Sequence, residues 1–134
     1  MASLIWEDKL NSSIEIMKIQ YHTVSVCMNA IHDKIADESQ NCAQIDGLLN
    51  QLELLCQMLF KYDEQLLEEM NYPAVSEQRR LHDSYLKAID LFKTENEQCH
   101  TAAFMNDFIK LRLDYVLNRD QETMMLCDYL LKTS

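Results

Sequence analysis

Only one glycine, Gly47, and one proline, Pro73, occur in the whole chain. Tight turns and β-hairpins draw on those residues for backbone angles that other side chains rarely adopt, so a fold of strands and hairpins has no raw material here. Helix remains, and the apolar pattern supports it. Ile14, Met17, Tyr21, Val24, Met28, Ile31 and Ile35 recur at spacings of three and four, the seam of a packed helix over about 14–37.

Three more stripes follow. Ile45, Leu49, Leu52, Cys56, Leu59, Asp63 and Leu67 mark a helix over about 41–70, with Asn41 as its N-cap and Gln44 three residues on. Val75, Gln78, His82, Tyr85, Ile89 and Phe92 mark one over about 74–95, entered through Pro73. Phe104, Phe108, Leu111 and Tyr115 mark one over about 101–118, capped by Thr101. Residues 1–13, with the single tryptophan Trp6, have no clean period and read as an N-terminal arm, and residues 121–131 read as a short C-terminal helix. Methionines such as Met17, Met28, Met58 and Met105 read as core filler. The expected fold is all-α: one domain over 1–134, an up-down-up-down antiparallel four-helix bundle joined by short connections.

Charge narrows the partners. Twelve Lys and Arg against 22 Asp and Glu leave a net charge of −10, the wrong sign for nucleic acid or an anionic bilayer. No apolar run is long enough to span a membrane, and the first residues lack the pattern of a signal peptide, so a cytoplasmic protein is expected. Cys27, Cys42, Cys56, Cys99 and Cys127 are odd in number, scattered and without CxxC spacing. They are expected as reduced, packed thiols rather than disulfides or zinc ligands.

The polar residues on the stripes carry the functional question. Tyr21, Asp63, Gln78, His82 and Tyr115 each fall well inside a helix on its apolar seam. Aligned helices would gather them in one layer, where bundles hold metals and cofactors.

With these residues in view, the sequence resembles the hemerythrin and bacteriohemerythrin family. "WEDKLNSSIEIMKIQY" is similar to its Trp-led arm entering the first helix. In "QYHTVSVCMNAI", Gln20 and Asn29 keep the register while Tyr21 stands where the family has a histidine ligand. In "LFKYDEQLLEEMNYP", Phe60, Glu64, Tyr72 and Pro73 are retained, Leu59 replaces a histidine, and Asp63 replaces a bridging glutamate. "QRRLHDSYL" matches a His-x-x-x-His pair, with Gln78 in the first position and His82 in the second. In "YVLNRD", Tyr115 replaces a histidine and Asp120 is kept.

The resemblance implies a four-helix bundle in which five histidines and two bridging carboxylates hold two irons that bind dioxygen. Carried over by position, Tyr21, Leu59, Gln78 and Tyr115 stand in place of four of those histidines. The residual metal set is His82, Asp63 and Asp120, with Tyr21 or Tyr115 as a further donor, enough for one iron, zinc or manganese ion. The metal-free alternative is a hydrogen-bonded network in which carboxylates flank His82 and both tyrosines donate to them. His22 is expected to face away from the bundle, and His32 and His100 to lie near solvent or at helix ends.

The expected protein is hemerythrin-like, has lost the di-iron oxygen-carrying site, and serves as a non-enzymatic regulatory or protein-interaction module. No cofactor is expected, and if there is one it is iron, one ion rather than two. The alternative is a metal-binding sensor of oxygen, redox state or iron. The expected partner is a protein or a second copy, docking on an apolar patch at Trp6 and "MMLCDYLL".

Overall fold

The computed structural model describes residues 2–39, 41–94 and 98–133, without the side chains of 2–10, 13, 14, 94 and 133. Four helices follow in order: α1 (Ala2–Ala36), α2 (Cys42–Glu69), α3 (Val75–Thr94) and α4 (Ala102–Thr133). They form a four-helix bundle, with no strand among the described residues.

Cross-helix contacts run in opposite senses along neighbours. On α1 and α4, Gln20 meets Arg119, Asn29 meets Arg112, and Ile35 meets His100 just before α4 begins. On α2 and α3, Glu64 meets His82 and Asn50 meets Lys93. Both pairs are therefore antiparallel.

The ends of the helices follow the sequence signals. Asn41 Oδ1 accepts the Gln44 N–H at 2.9 Å, and Thr101 Oγ1 accepts the Phe104 N–H at 3.1 Å, each satisfying a backbone donor the helix cannot. Asn71 adopts a left-handed φ of 59°, a conformation asparagine tolerates. The Tyr72 N–H then closes back on the Leu67 carbonyl at 2.9 Å and stops α2.

Two boundaries differ from the sequence reading. Residues 2–13, expected as an irregular arm, are helical and continuous with α1. The segment "ASLIWEDKLNSS" has no glycine or proline to break a helix, and weak periodicity alone does not unwind one. The separate helix expected over 121–131 is the unbroken continuation of α4, because "LNRDQETM" holds no breaker. The side chain of Trp6 lies outside the described residues, so the docking patch assigned to it is not tested.

The cysteine expectation is also corrected. Cys42 and Cys99 form a disulfide with Cα atoms 5.6 Å apart, tying the start of α2 to the connection that enters α4. Fifty-seven residues separate them in sequence, and only the folded topology makes them neighbours. Cys27, Cys56 and Cys127 are free thiols. Burial pushes the Cys56 thiol up to about 12, so it packs as a small apolar group.

The interior has three levels. A large apolar cluster joins Val24, Met28 and Ile31 of α1, Leu49, Leu52 and Cys56 of α2, Tyr85 and Ile89 of α3, and Phe104 and Phe108 of α4. A smaller one at the other end joins Leu67, Met70, Tyr72, Val75, Leu126 and Leu130. Between them lies a polar layer of Gln20, Asp63, Gln78, His82 and Arg119, all buried. Met58, expected in the core, is exposed instead.

Candidate functional site

Each helix contributes to the polar layer from the middle of its buried stripe. His82 of α3 is only 3% exposed and stacks flat on Phe60 of α2, ring centres 4.1 Å apart. Its two ring nitrogens face two carboxylates: Nδ1 lies 3.3 Å from Glu64 Oε2 and Nε2 lies 2.9 Å from Glu122 Oε1. A carboxylate only accepts, so satisfying both contacts takes two N–H groups, which is the imidazolium form. Burial alone would lower the pKa of His82, but its bonds to Glu122 and Glu64 outweigh that and hold it above the ordinary imidazole value.

Arg119 of α4 is the second buried cation, 4% exposed. Its Nη1 lies 2.7 Å from Asp63 Oδ2 and 3.0 Å from Glu122 Oε2, and its Nη2 donates to Gln20 Oε1. Burial pushes the Asp63 carboxyl above the usual range, with Arg119 and Gln20 pulling partly against it. Glu64, nearer the surface, also takes Arg79 Nε at 3.4 Å, and Arg79 pairs in turn with Glu68. Asp63, Glu64 and Glu122 thus face three cationic side chains: His82, Arg79 and Arg119. The layer carries its own counter-charges, which is the condition for burying ions at tolerable cost.

Two small voids flank the network, each about 10 Å³ and large enough for a single water. His82, Tyr115, Arg119 and Glu122 line one; Asp63, Tyr72, Gln78 and Glu122 line the other. Among the described residues the Tyr115 hydroxyl and Arg119 Nε have no hydrogen-bond partner, and both residues line the first void. Burial raises the Tyr115 phenol well above its ordinary pKa, so it stays protonated.

The layer gathers Asp63, Gln78, His82 and Tyr115 but neither Tyr21, expected in it, nor Asp120, placed with these residues in the residual metal set. Tyr21 is 40% exposed and Asp120 is exposed. Both line an open groove of about 430 Å³ between α1 and α4, with Met17, Lys18, Thr123 and Met124. One residue turns a helix by about 100°, so the register that buries Gln20 and Arg119 necessarily turns their neighbours Tyr21 and Asp120 outward. Leu59 is half-buried and packs against the large apolar cluster. Among the outlying histidines, His22 is exposed, His32 lies beside Asp33, and the His100 Nδ1–H donates to the Ile35 carbonyl at 2.8 Å.

Sequence reading missed Arg119 and Glu122. The signal was present: they follow Tyr115 by four and seven residues, and they extend the buried stripe to Leu126 and Leu130. Ending the last long helix at 118 hid it. Glu64 and Gln20 were recognised as framework residues without their roles in the network.

The donors as arranged do not fit a di-iron pair. The Arg119 guanidinium fills the space between Asp63 and Glu122, both imidazole nitrogens of His82 are taken by carboxylates, and Tyr115 keeps its proton. Among the described residues, no group of three or more His, Cys, Asp or Glu is placed to hold a metal ion. No described helix is long and apolar enough to cross a membrane.

The chain is 27% identical over 89 residues to a bacteriohemerythrin of Stenotrophomonas maltophilia (strain R551-3), covering 66% of this chain and 57% of that protein. It is 24% identical over 93 residues to bacteriohemerythrins of Pseudomonas paraeruginosa (strain PA7) and Pseudomonas aeruginosa (strain LESB58), covering 69% of this chain and 60% of each. The match therefore spans less than two thirds of the length of these curated relatives. No family model matches, and no solved structure matches.

Proposed function

From the premise that this chain is a distant relative of the hemerythrin family, we propose that it is a bundle without the family's di-iron oxygen site, acting as a non-enzymatic regulatory or protein-interaction module. One observation carries the reading: the Arg119 guanidinium lies between Asp63 and Glu122, where a protein-borne cation meets the charge of carboxylates a metal would otherwise neutralise. Leu59 and Gln78 support it as replacements that fill space or bring their own hydrogen-bonding groups. The alternative, a single iron held by His82, Asp63 and Asp120 with Tyr21 or Tyr115, would need Asp120 to leave the groove and enter the core.

A cytoplasmic setting belongs to the same proposal. The Cys42–Cys99 disulfide counts against it, since disulfides persist mainly in oxidising compartments. The test of the main reading is metal analysis of protein produced with ample iron and zinc, paired with nitrogen NMR of the His82 ring. The reading expects far less than one metal per chain and a doubly protonated His82 at slightly acidic pH. About two irons per chain, with the near-ultraviolet bands of an oxo bridge, would overturn it.

A further inference from the structure

Polar atoms buried in a folded core are nearly always hydrogen-bonded, because nothing else repays the water they give up. Four atoms of the polar layer break that rule among the described residues: the Tyr115 hydroxyl, Arg119 Nε, Gln78 Oε1 and Asp63 Oδ2. Their residues are at most 4% exposed. Asp63 Oδ2 faces the Arg119 charge at 2.7 Å and still has a lone pair to share, and the other three atoms have no hydrogen bond at all. The four are not scattered. Tyr115 and Arg119 line the first void of about 10 Å³, Asp63 and Gln78 line the second, and Glu122 lines both. Glu53 Oε2, also without a hydrogen bond, lies outside the layer and has Lys93 as its ion-pair partner.

We propose that each void binds one water molecule, and that the two waters, joined through Glu122, complete the polar layer. Size sets the first limit, since about 10 Å³ is room for one water and for no larger ligand. Charge sets the second. The first void lies among the cations His82 and Arg119 and the carboxylate of Glu122, so an added cation would meet Arg119 and an added anion would meet Glu122. A neutral molecule meets neither penalty. Hydrogen bonding then selects water, which has two lone pairs and two hydrogens. In the first void it accepts from Arg119 Nε–H and the Tyr115 hydroxyl and donates to Glu122. In the second it donates to Gln78 Oε1 and Asp63 Oδ2 and accepts from the Tyr72 hydroxyl. Each water thus has three polar partners, the usual number for a buried one. Leu81 and Asn118, both half-buried, also line the first void and close it between α3 and α4. Tyr115 and Gln78 stand at two positions where the family has histidine, and solvent completes their polar ends. The inference rests on the metal-free reading, because an ion held by Asp63 and Glu122 would take the place of Arg119.

A high-resolution crystal structure of the wild-type chain tests the two sites, with metal analysis of the same preparation so that the two readings fail separately. One water is expected in each void, about 3 Å from Tyr115 Oη and Arg119 Nε in the first and from Gln78 Oε1 and Asp63 Oδ2 in the second. In solution, oxygen-17 relaxation dispersion counts the long-lived waters. Tyr115→Phe and Gln78→Leu should each lose one of them while keeping the helicity of the wild type. Dry voids in metal-free protein, a density peak with the short contacts of a cation, or side chains that close the voids by bonding to one another would each overturn the waters. An unchanged water count in both variants would do the same, and if a variant does not fold the wild-type density decides alone. Metal found in the layer would sink the metal-free reading itself, whereas dry voids without metal would sink only the waters.

Discussion

Around Val24, Leu52, Ile89 and Phe108 the helices meet in the interior mainly through apolar side chains, and the Cys42–Cys99 disulfide closes that end of the bundle. One to three turns along, the same four helices meet at Gln20, Asp63, His82 and Arg119 through charges and hydrogen bonds. The apolar end tolerates approximate fit, since any side chain of the right volume serves. The polar layer does not: each ion there depends on a partner from another helix, and removing one leaves the rest buried and unpaired.

The sharpest way to break that contrast is Arg119→Met. Asp63 and Glu122 would then share the layer without the cation between them, and the expected loss is about 3–5 kcal/mol at neutral pH. Combining it with Asp63→Leu, which removes the more deeply buried carboxylate, should recover part of the loss. Urea unfolding of the single and double variants measures both. Equal stability of Arg119→Met and wild type would mean that the layer is not held by its own cations.

At the apolar end, Cys42→Ser is expected to cost about 2–4 kcal/mol, since the bridge closes a long loop in the unfolded chain. Adding a dithiol reductant to the wild type should reproduce that loss and add nothing to the variant. Thiol titration of unfolded protein should count three free thiols before reduction and five after.

Protonation separates the two regions again, because the apolar cluster has no part in it. His82 is held above the ordinary imidazole value in the fold, so its contribution is fully present below about pH 6.5, the value of an unfolded histidine. That contribution is lost as pH rises through the higher folded value. Asp63 acts in the same direction at lower pH: its raised pKa means that the fold favours the protonated form, and stability falls as the group ionises. His82→Gln should flatten the fall on the alkaline side of 6.5 and cost about 1–3 kcal/mol below it, read from urea midpoints across the pH range.

Much of this architecture was legible in the residues. The stripes through Ile45, Leu52, Ile89 and Phe108 and the caps Asn41 and Thr101 follow from periodicity and local hydrogen bonding, which a single sequence carries. Asp63, Gln78, His82 and Tyr115 were legible for the same reason, as polar residues on apolar stripes. The misses are one-residue and long-range effects. Tyr21 and Gln20 are neighbours, either of which extends the first stripe, and only the packing of α1 against Arg119 decides between them. The disulfide depends on a contact across 57 residues that no local pattern announces.

That choice of register supplies the smallest expected effect. If Tyr21 and Asp120 belong to the groove and not to the layer, Tyr21→Phe and Asp120→Asn should each change stability by no more than about 0.5 kcal/mol. Neither should alter the titration of His82, because neither side chain reaches the ions around it. Gln20→Leu, one residue from Tyr21, should behave differently: it removes the acceptor for Arg119 Nη2 in the buried layer, at a cost of about 1–3 kcal/mol. The paired measurement at positions 20 and 21 tests the register of α1 directly. Should Tyr21→Phe prove the costlier change, the tyrosine and not the glutamine faces the layer, and the ion network would have to be redrawn around it.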